Sequence, residues 1–254
     1  MNQTGNTILI TGGGSGIGAA LAHRLHDLGN TVIIAGRRRK ALEGAIAGRE
    51  KMHAIELDVE SAEGVAGFAK RLLAEHPAVN VLVNNAGIMR FEALDQPRDL
   101  ADAEATISTN LLGPIRLIDA LVGYLAAQPG AAIVNVTSGL AFVPLVATPT
   151  YNATKAAMHS YTLSLREALR GRVEVIELAP PAVQTGLTPG QESRPGYMPL
   201  DAFVDEVMTL LAQQPTPREI LVERVRSLRF AEAEGRFDEV MAQLNSFAAK
   251  ARQG

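Results

Sequence analysis

The sequence predicts an α/β fold: a doubly wound parallel sheet of about seven strands with helices on both faces, and a C-terminal helical extension. Two observations predict it. Short runs rich in β-branched residues alternate with stretches of helical periodicity, and alternating strand and helix implies right-handed crossovers that lay the strands side by side in parallel. A turn dense in glycine, Thr11-Gly12-Gly13-Gly14-Ser15-Gly16-Ile17-Gly18, sits between the first such run and the first helical stretch. A single domain over 1–254 is the default for an α/β chain of this length.

Thr7-Ile8-Leu9-Ile10 reads as a buried strand, since all four positions suit a sheet covered on both faces. Ala19, Ala20, Leu21, Ala22, Leu25 and Leu28 recur at helical spacing until Gly29-Asn30 stops the helix. Thr31–Ala35 is the second strand, Ala54–Leu57 marks a third, and Val79–Val83 a fourth. A helical region from Asp102 to Ala127 is interrupted around Gly113-Pro114. Ala132–Val136 is the fifth strand, Thr150–Leu169 is helical, Val173–Leu178 is the sixth strand, and Ile220–Val222 is a candidate seventh. Residues 180–200, rich in Pro, Gly and Thr, form the one long stretch with loop chemistry, and loops of that length in compact domains are usually lids or binding loops. Phe237, Val240, Met241, Leu244, Phe247 and Ala248 share one helical face within an extension over about 225–254. Such a helix is a docked element first, and a subunit contact or a pocket cover second.

Charged residues make up 20% and the formal net charge is −3, so no general attraction to nucleic acid or to an anionic membrane is expected. No apolar run approaches the ~20 residues a membrane span needs. The chain has no cysteine, which excludes disulfides and thiolate metal sites and makes a reducing cytoplasm the simplest expectation. His23, His26, His53, His76 and His159 show no metal-ligand spacing, so no metal is implied and all five read as ordinary surface or core histidines. Asp102 and Glu104 open a helix and read as dipole partners, not as paired catalytic acids.

Glycines after a strand and before a helix let the backbone turn tightly and approach a ligand, and the helix N-terminus favours a phosphate. That context makes Gly12, Gly14, Ser15, Gly16, Ile17 and Gly18 candidates for a dinucleotide-binding turn. At the end of the second strand an acid would favour NAD and an arginine the 2′-phosphate of NADP. The chain reads Gly36-Arg37-Arg38-Arg39-Lys40 with no carboxylate near it in sequence, so NADP(H) is preferred over NAD(H), with Arg37 and Arg38 as its ligands.

Further motifs follow in order, and with them the chain resembles the short-chain dehydrogenase/reductase family. Thr11-Gly12-x-x-x-Gly16-x-Gly18 is similar to its cofactor turn, Asp58-Val59 to its adenine-contacting pair, and Asn84-Asn85-Ala86-Gly87 to its NNAG motif. Asn110 resembles its catalytic asparagine, Ser138 its serine, and Tyr151-Asn152-Ala153-Thr154-Lys155 its YxxxK, with a fitting thirteen-residue step from Ser138. These motifs cover residues 7 to about 185. The resemblance implies a Rossmann fold, a homodimer or homotetramer, and cofactor contacts from Asp58, Val59, Asn85, Ala86, Gly87, Tyr151, Lys155, Pro180, Val183 and Thr185. It gives Ser138 the role of oxyanion donor, has Lys155 hold the nicotinamide ribose, and has Asn110 anchor a water that passes protons to Lys155. One departure is Pro180-Pro181 where the family carries Pro-Gly; proline fixes φ and removes an N–H. Thr11 and Asn84 have a simpler alternative as braces at strand ends, and for Asn84 that reading is favoured.

Tyr151 and Lys155 lie four residues apart and so face the same side of a helix. A free phenol, with a pKa of about 10, is a poor base at neutral pH. A lysine cation beside it is expected to favour the phenolate and to make it a proton carrier matched to working pH. With a fixed donor at Ser138, the group of four suits the reduction of a carbonyl by hydride, Tyr151 giving the proton to oxygen.

Apolar segments expected at the carboxyl edge of the sheet are Ile88–Phe91, Leu140–Leu145, and the loop carrying Leu187, Tyr197 and Met198. They suggest a hydrophobic small-molecule ketone, aldehyde or secondary alcohol. Two other functions compete. A 3-oxoacyl-thioester reductase would need a basic dock for an acidic carrier, for which Arg116, Arg166, Arg170 and Arg172 are available without evident clustering. A non-enzymatic cofactor sensor would have little need of the Tyr-Lys pair.

Overall fold

Seven strands, all parallel, lie in the order β3-β2-β1-β4-β5-β6-β7 in a computed structural model that describes residues 1–253, with side chains described through residue 250. The strands are β1 (Thr7–Thr11), β2 (Thr31–Gly36), β3 (Met52–Glu56), β4 (Val79–Asn84), β5 (Ala132–Val136), β6 (Glu174–Leu178) and β7 (Glu219–Ile220). The third strand thus begins two residues earlier than its periodicity suggests. The seventh is shorter: Leu221 and Val222 lead directly into a helix once Ala179 N–H has bonded to Ile220 O. Helices α1 (Gly16–Asp27), α2 (Arg39–Ile46), α3 (Ala62–Glu75), α4 (Ala101–Ile107), α5 (Gly113–Leu125), α6 (Pro149–Ala168), α7 (Leu200–Leu211), α8 (Glu223–Arg229) and α9 (Phe237–Gln253) fill the connections and the extension, whose last residue, Gly254, lies outside the described residues.

The near-continuous apolar strands serve two cores. In β1, Ile8 and Ile10 face a cluster containing Leu21, Leu25 and Phe203 from α1 and α7. Leu9 faces the opposite cluster with Phe68, Leu72, Leu117 and Leu121 from α3 and α5. All three are fully buried, and each such side chain contributes about 1.5–3 kcal/mol relative to leaving it in water. The chain order reverses between β1 and β4: after β3 it crosses back over β1 to the other side. That switch opens a crevice beyond the carboxyl ends of the two strands, where doubly wound sheets take their ligands.

The break in the helical region takes the form of one wide π turn, Ser108–Leu112, between α4 and α5, with Pro114 in the first turn of α5. Such turns re-aim the side chains they carry, and this one carries Asn110. It also brings Gly113 against β3's exit, where a Cβ would lie 2.9 Å from Val59 Cβ.

Candidate active site

A crevice of about 450 Å³ opens at the switch. Gly12, Gly14, Ser15, Gly16 and Ile17 form its floor, Arg37 and Arg38 one end, and Ser138, Tyr151 and Lys155 the other, with Val59, Asn85, Ala86, Gly87, Pro180, Val183 and Thr185 along the sides. The glycines divide by task. Gly12, at φ +66°, turns the chain back so closely that a Cβ would sit 2.9 Å from Ala86 Cα. A Cβ on Gly13 would meet Ile34 at 2.5 Å, and one on Gly18 would meet Gly12 O at 2.4 Å. Gly13 and Gly18 therefore serve packing within the protein, and Gly18 stands behind the crevice wall. Gly12, Gly14 and Gly16 are the glycines of the turn that line the opening, and Gly14 also packs on α2, where a Cβ would lie 3.3 Å from Ala41. Ser15 precedes α1 without a side-chain bond to the helix's amide hydrogens, so the helix N-terminus presents N–H groups to an anion. That open end, the bare backbone and two guanidinium groups fit a dinucleotide pyrophosphate and its adenosine end.

Both strand ends are braced, as favoured from sequence for Asn84 and left as an alternative for Thr11. Thr11 Oγ1 accepts the N–H groups of Asn85 and Ala86, both at 3.0 Å. Asn84 Nδ2 donates to Asn135 Oδ1 at 2.9 Å across β4 and β5, and its own Oδ1 is buried without a partner among the described residues. Asn85 Nδ2 holds Thr11 O at 2.9 Å, locking the NNAG segment to the glycine turn.

Beside β5, Ser138 and Tyr151 line the crevice together, and Ser138 Oγ accepts the Leu140 N–H at 3.1 Å. Lys155 Nζ donates to Val136 O at 2.8 Å and lies 5.6 Å from the centre of the Tyr151 ring. Both side chains are buried. Burial pushes the phenol up to about 12, the nearby Ser138 hydroxyl pulling the other way, and pushes the lysine down to about 8. In the free protein burial, not the expected effect of the lysine cation, sets the direction, so Tyr151 stays protonated at neutral pH. Asn110 is close by but not on the wall. Its Oδ1 accepts Ile88 N–H at 2.9 Å and its Nδ2 donates to Ile88 O at 2.8 Å, so the side chain copies one rung of a ladder and fixes the segment after Gly87.

Two further placements differ from the sequence reading. Asp58 turns away from the crevice and accepts the N–H of Glu60 at 3.1 Å, capping its own turn because short carboxylates bond readily to the backbone two residues on. Only its neighbour Val59 lines the crevice. The basic stretch is also not free of carboxylates: Glu60 pairs with Arg37 at 2.9 Å and accepts from Thr109 at 2.7 Å. No local signal places Glu60 there, because the contact spans two strands of the sheet. Arg38 bonds to Ser15 Oγ at 3.0 Å and has no carboxylate partner among the described residues.

Of the apolar segments expected near substrate, Ile88 and Leu187 line the crevice with Pro181 and Gly186. Phe142, Val143 and Met198 do not: Phe142 lies against His159 and Arg229, Val143 joins a small core under α9, and Met198 is buried in the main core. The doubled proline after β6 is accommodated because Pro180 is used as an acceptor, taking Gly139 N–H at 2.8 Å. Helix α6, which carries Tyr151 and Lys155, has no side-chain cap from Thr148; instead Glu92, far away in sequence, accepts Thr150 N–H at 3.1 Å and its hydroxyl at 2.8 Å. The extension packs on its own chain: Asn245 bonds Val146 N–H at 2.8 Å and Pro144 O at 3.2 Å, and Phe247 stacks on Tyr197.

This arrangement agrees with what the chain is similar to. Residues 6–195 match the family described as short chain dehydrogenase. An uncharacterized oxidoreductase, DltE, of Bacillus subtilis is 40% identical over 250 residues, covering 97% of this chain and 99% of that protein. The crystal structure of a short chain dehydrogenase from Burkholderia cenocepacia in complex with NADP superposes with a TM-score of 0.82 at 27% identity, covering 96% of this chain and 99% of that one. A 3-ketoacyl-(acyl-carrier-protein) reductase from Brucella melitensis complexed with NADH gives 0.75 at 26% identity, covering 85% and 94%. The chain belongs to the short-chain dehydrogenase/reductase family and is an oxidoreductase of alcohols and carbonyls that works with a nicotinamide dinucleotide.

Proposed function

We propose that the protein is an NADP(H)-dependent reductase of a hydrophobic small-molecule carbonyl, running in reverse as a secondary-alcohol dehydrogenase. The observation that carries this reading is that Ser138, buried Tyr151 and buried Lys155 line the same crevice as a glycine turn flanked by Arg37 and Arg38. When bound, the dinucleotide supplies or accepts a hydride. Ser138 donates a hydrogen bond to the substrate oxygen, and the bond strengthens as negative charge gathers there. Tyr151, held protonated by burial, gives its proton to that oxygen. Lys155 holds the ribose next to the reacting ring, and Asn110 keeps the segment after Gly87 in register with it. Ile88, Pro181 and Leu187 give the substrate end an apolar wall. Oxidation of NADPH by a panel of apolar ketones and aldehydes tests the reading; turnover confined to highly charged sugars would reject it.

The carrier-linked alternative has less support. Arg116 holds Glu60 O, Arg166 holds Val175 O and Arg218 O, Arg172 holds Ala168 O, and Arg170 pairs with Glu167. None of the four stands free as part of a basic dock.

Preference for the phosphorylated cofactor rests on Arg38, with Arg37 shared between Glu60 and the ligand. A charge-assisted bond contributes about 1.5–3 kcal/mol, so Arg38→Ala is expected to weaken NADPH by about tenfold or more and Arg37→Ala by less. NADH affinity should be unmoved in both, which fluorescence titration reads directly.

Through Asn245 and Phe247, α9 ties the loop that follows Ser138 to the loop that carries Leu187. Asn245→Ala should raise KM for a bulky substrate severalfold while NADPH affinity stays constant. A KM unchanged across the substrate panel would leave α9 as a docked helix alone.

A further inference from the structure

Behind Ser138 lies a carboxylate that the reading above does not use. Glu177, on β6, is fully buried. Its Oε1 accepts the Thr137 hydroxyl at 2.6 Å and its Oε2 lies 2.8 Å from His159 Nδ1. Thr137 immediately precedes Ser138. His159 stands one helical turn beyond Lys155 and two beyond Tyr151, on the same face of α6. One side chain therefore spans the two elements that carry the candidate catalytic groups.

The fold does not ask for a charge there. In β6, Val175 sits in an apolar core on the same side as Glu177, and an apolar residue would continue the alternation. Burying a carboxylate is costly, and replacing a buried ionic group by a well-packed apolar one is often neutral or stabilising. The groups around it are accounted for. Glu219 of β7 approaches His159 and Glu177, but Arg229 of α8 takes both its oxygens at 3.0 Å. Arg166 of α6 is held by two backbone carbonyls. Arg229 also lies over the Phe142 ring at 4.8 Å, and Phe142 meets His159 edge-on at 5.0 Å. The network therefore reaches the loop that follows Ser138.

We propose that Glu177 is a positioning residue: it ties the end of β5 to α6 through Thr137 and His159, and so sets the separation of Ser138 from Tyr151. The inference rests on the catalytic reading of that pair. Glu177→Leu severs both ties, and because a misplacement of about 1 Å can cost a hundredfold, kcat should fall roughly ten- to a hundredfold. NADPH affinity should hold. Glu177→Gln keeps an acceptor for Thr137 and a polar partner for His159, and should restore kcat to near wild type. Thr137→Val cuts one tie from the other side; combined with Glu177→Leu it should lower kcat no further than Glu177→Leu alone. The alkaline limb of the kcat profile should move upward in Glu177→Leu as Ser138 loosens from the phenol. Wild-type kcat in folded Glu177→Leu, or purely additive losses, would overturn the proposal. If Glu177→Leu does not fold, Thr137→Val decides: a lowered kcat with an upward-shifted alkaline limb supports the tie, and an unchanged profile rejects it. A wild-type enzyme inactive on every carbonyl would instead reject the underlying reading.

Discussion

Tyr151→Phe is expected to lower kcat by about a thousandfold, the middle of the range for losing a positioned proton donor, while NADPH affinity is nearly unchanged. The change removes one oxygen. The variant's phenyl ring would occupy the same buried slot on α6 and leave the neighbouring Lys155–Val136 bond intact. What is lost is the only phenol among the described residues that line the crevice. Without it, the oxygen that receives charge must take its proton from water, which a small and partly apolar opening admits poorly. Single-turnover kinetics with pre-bound NADPH isolates the step. Activity within a few-fold of wild type would show that the phenol is not the donor. The same experiment tests the direction of the pKa shift: a donor held up near 12 should leave reduction flat across neutral pH.

Much of this is legible in the sequence, and the exceptions share a cause. The strands β1, β2, β4 and β5 are visible because a two-faced buried sheet demands unbroken apolar runs, and the glycine turn because only glycine meets φ near +66° with a backbone 2.9 Å away. The Tyr151–Lys155 pair is visible because helical spacing fixes their shared face. Asp58, Glu60, Glu92 and Glu177 are not, because what each carboxylate does is decided by a partner on another element or by its own turn. Glu60 meets Arg37 across the sheet, Glu92 caps a helix nearly sixty residues on, and Glu177 bonds a threonine forty residues earlier. A one-dimensional pattern carries no record of such meetings. The direction of the phenol's shift escapes the sequence for a related reason. Proximity of the lysine can be read from spacing, but the depth of burial that outweighs it depends on how α6 packs against β5.

Lys155→Met should abolish most turnover and yet stabilise the ligand-free protein near neutral pH. The lysine is buried with its ammonium bonded to one carbonyl, Val136 O, and burial lowers it from an ordinary 10.5 to about 8. Each pKa unit corresponds to about 1.4 kcal/mol, so the buried charge costs on the order of 3 kcal/mol at pH 7. Methionine fills a similar volume without that cost, but leaves the Val136 carbonyl without its donor, a loss of about 1–3 kcal/mol. The balance is a gain of about 1 kcal/mol, or a rise of a few degrees in Tm for a chain of this size. Its pH dependence carries the clearer sign. Below pH 8 both folded and unfolded lysines hold their protons and the cost is present in full. Between about 8 and 10.5 the folded state binds fewer protons than the unfolded one, so wild-type stability rises with pH relative to Lys155→Met. The gap between the two melting temperatures should therefore close, and then reverse, as pH climbs from 7 toward 10. Tyr151, raised to about 12, loses stability only between its ordinary 10 and that value, above this window, in wild type and variant alike. Parallel melting curves at every pH would mean that the lysine is solvated in the free enzyme, and that the crevice is wetter than its packing shows.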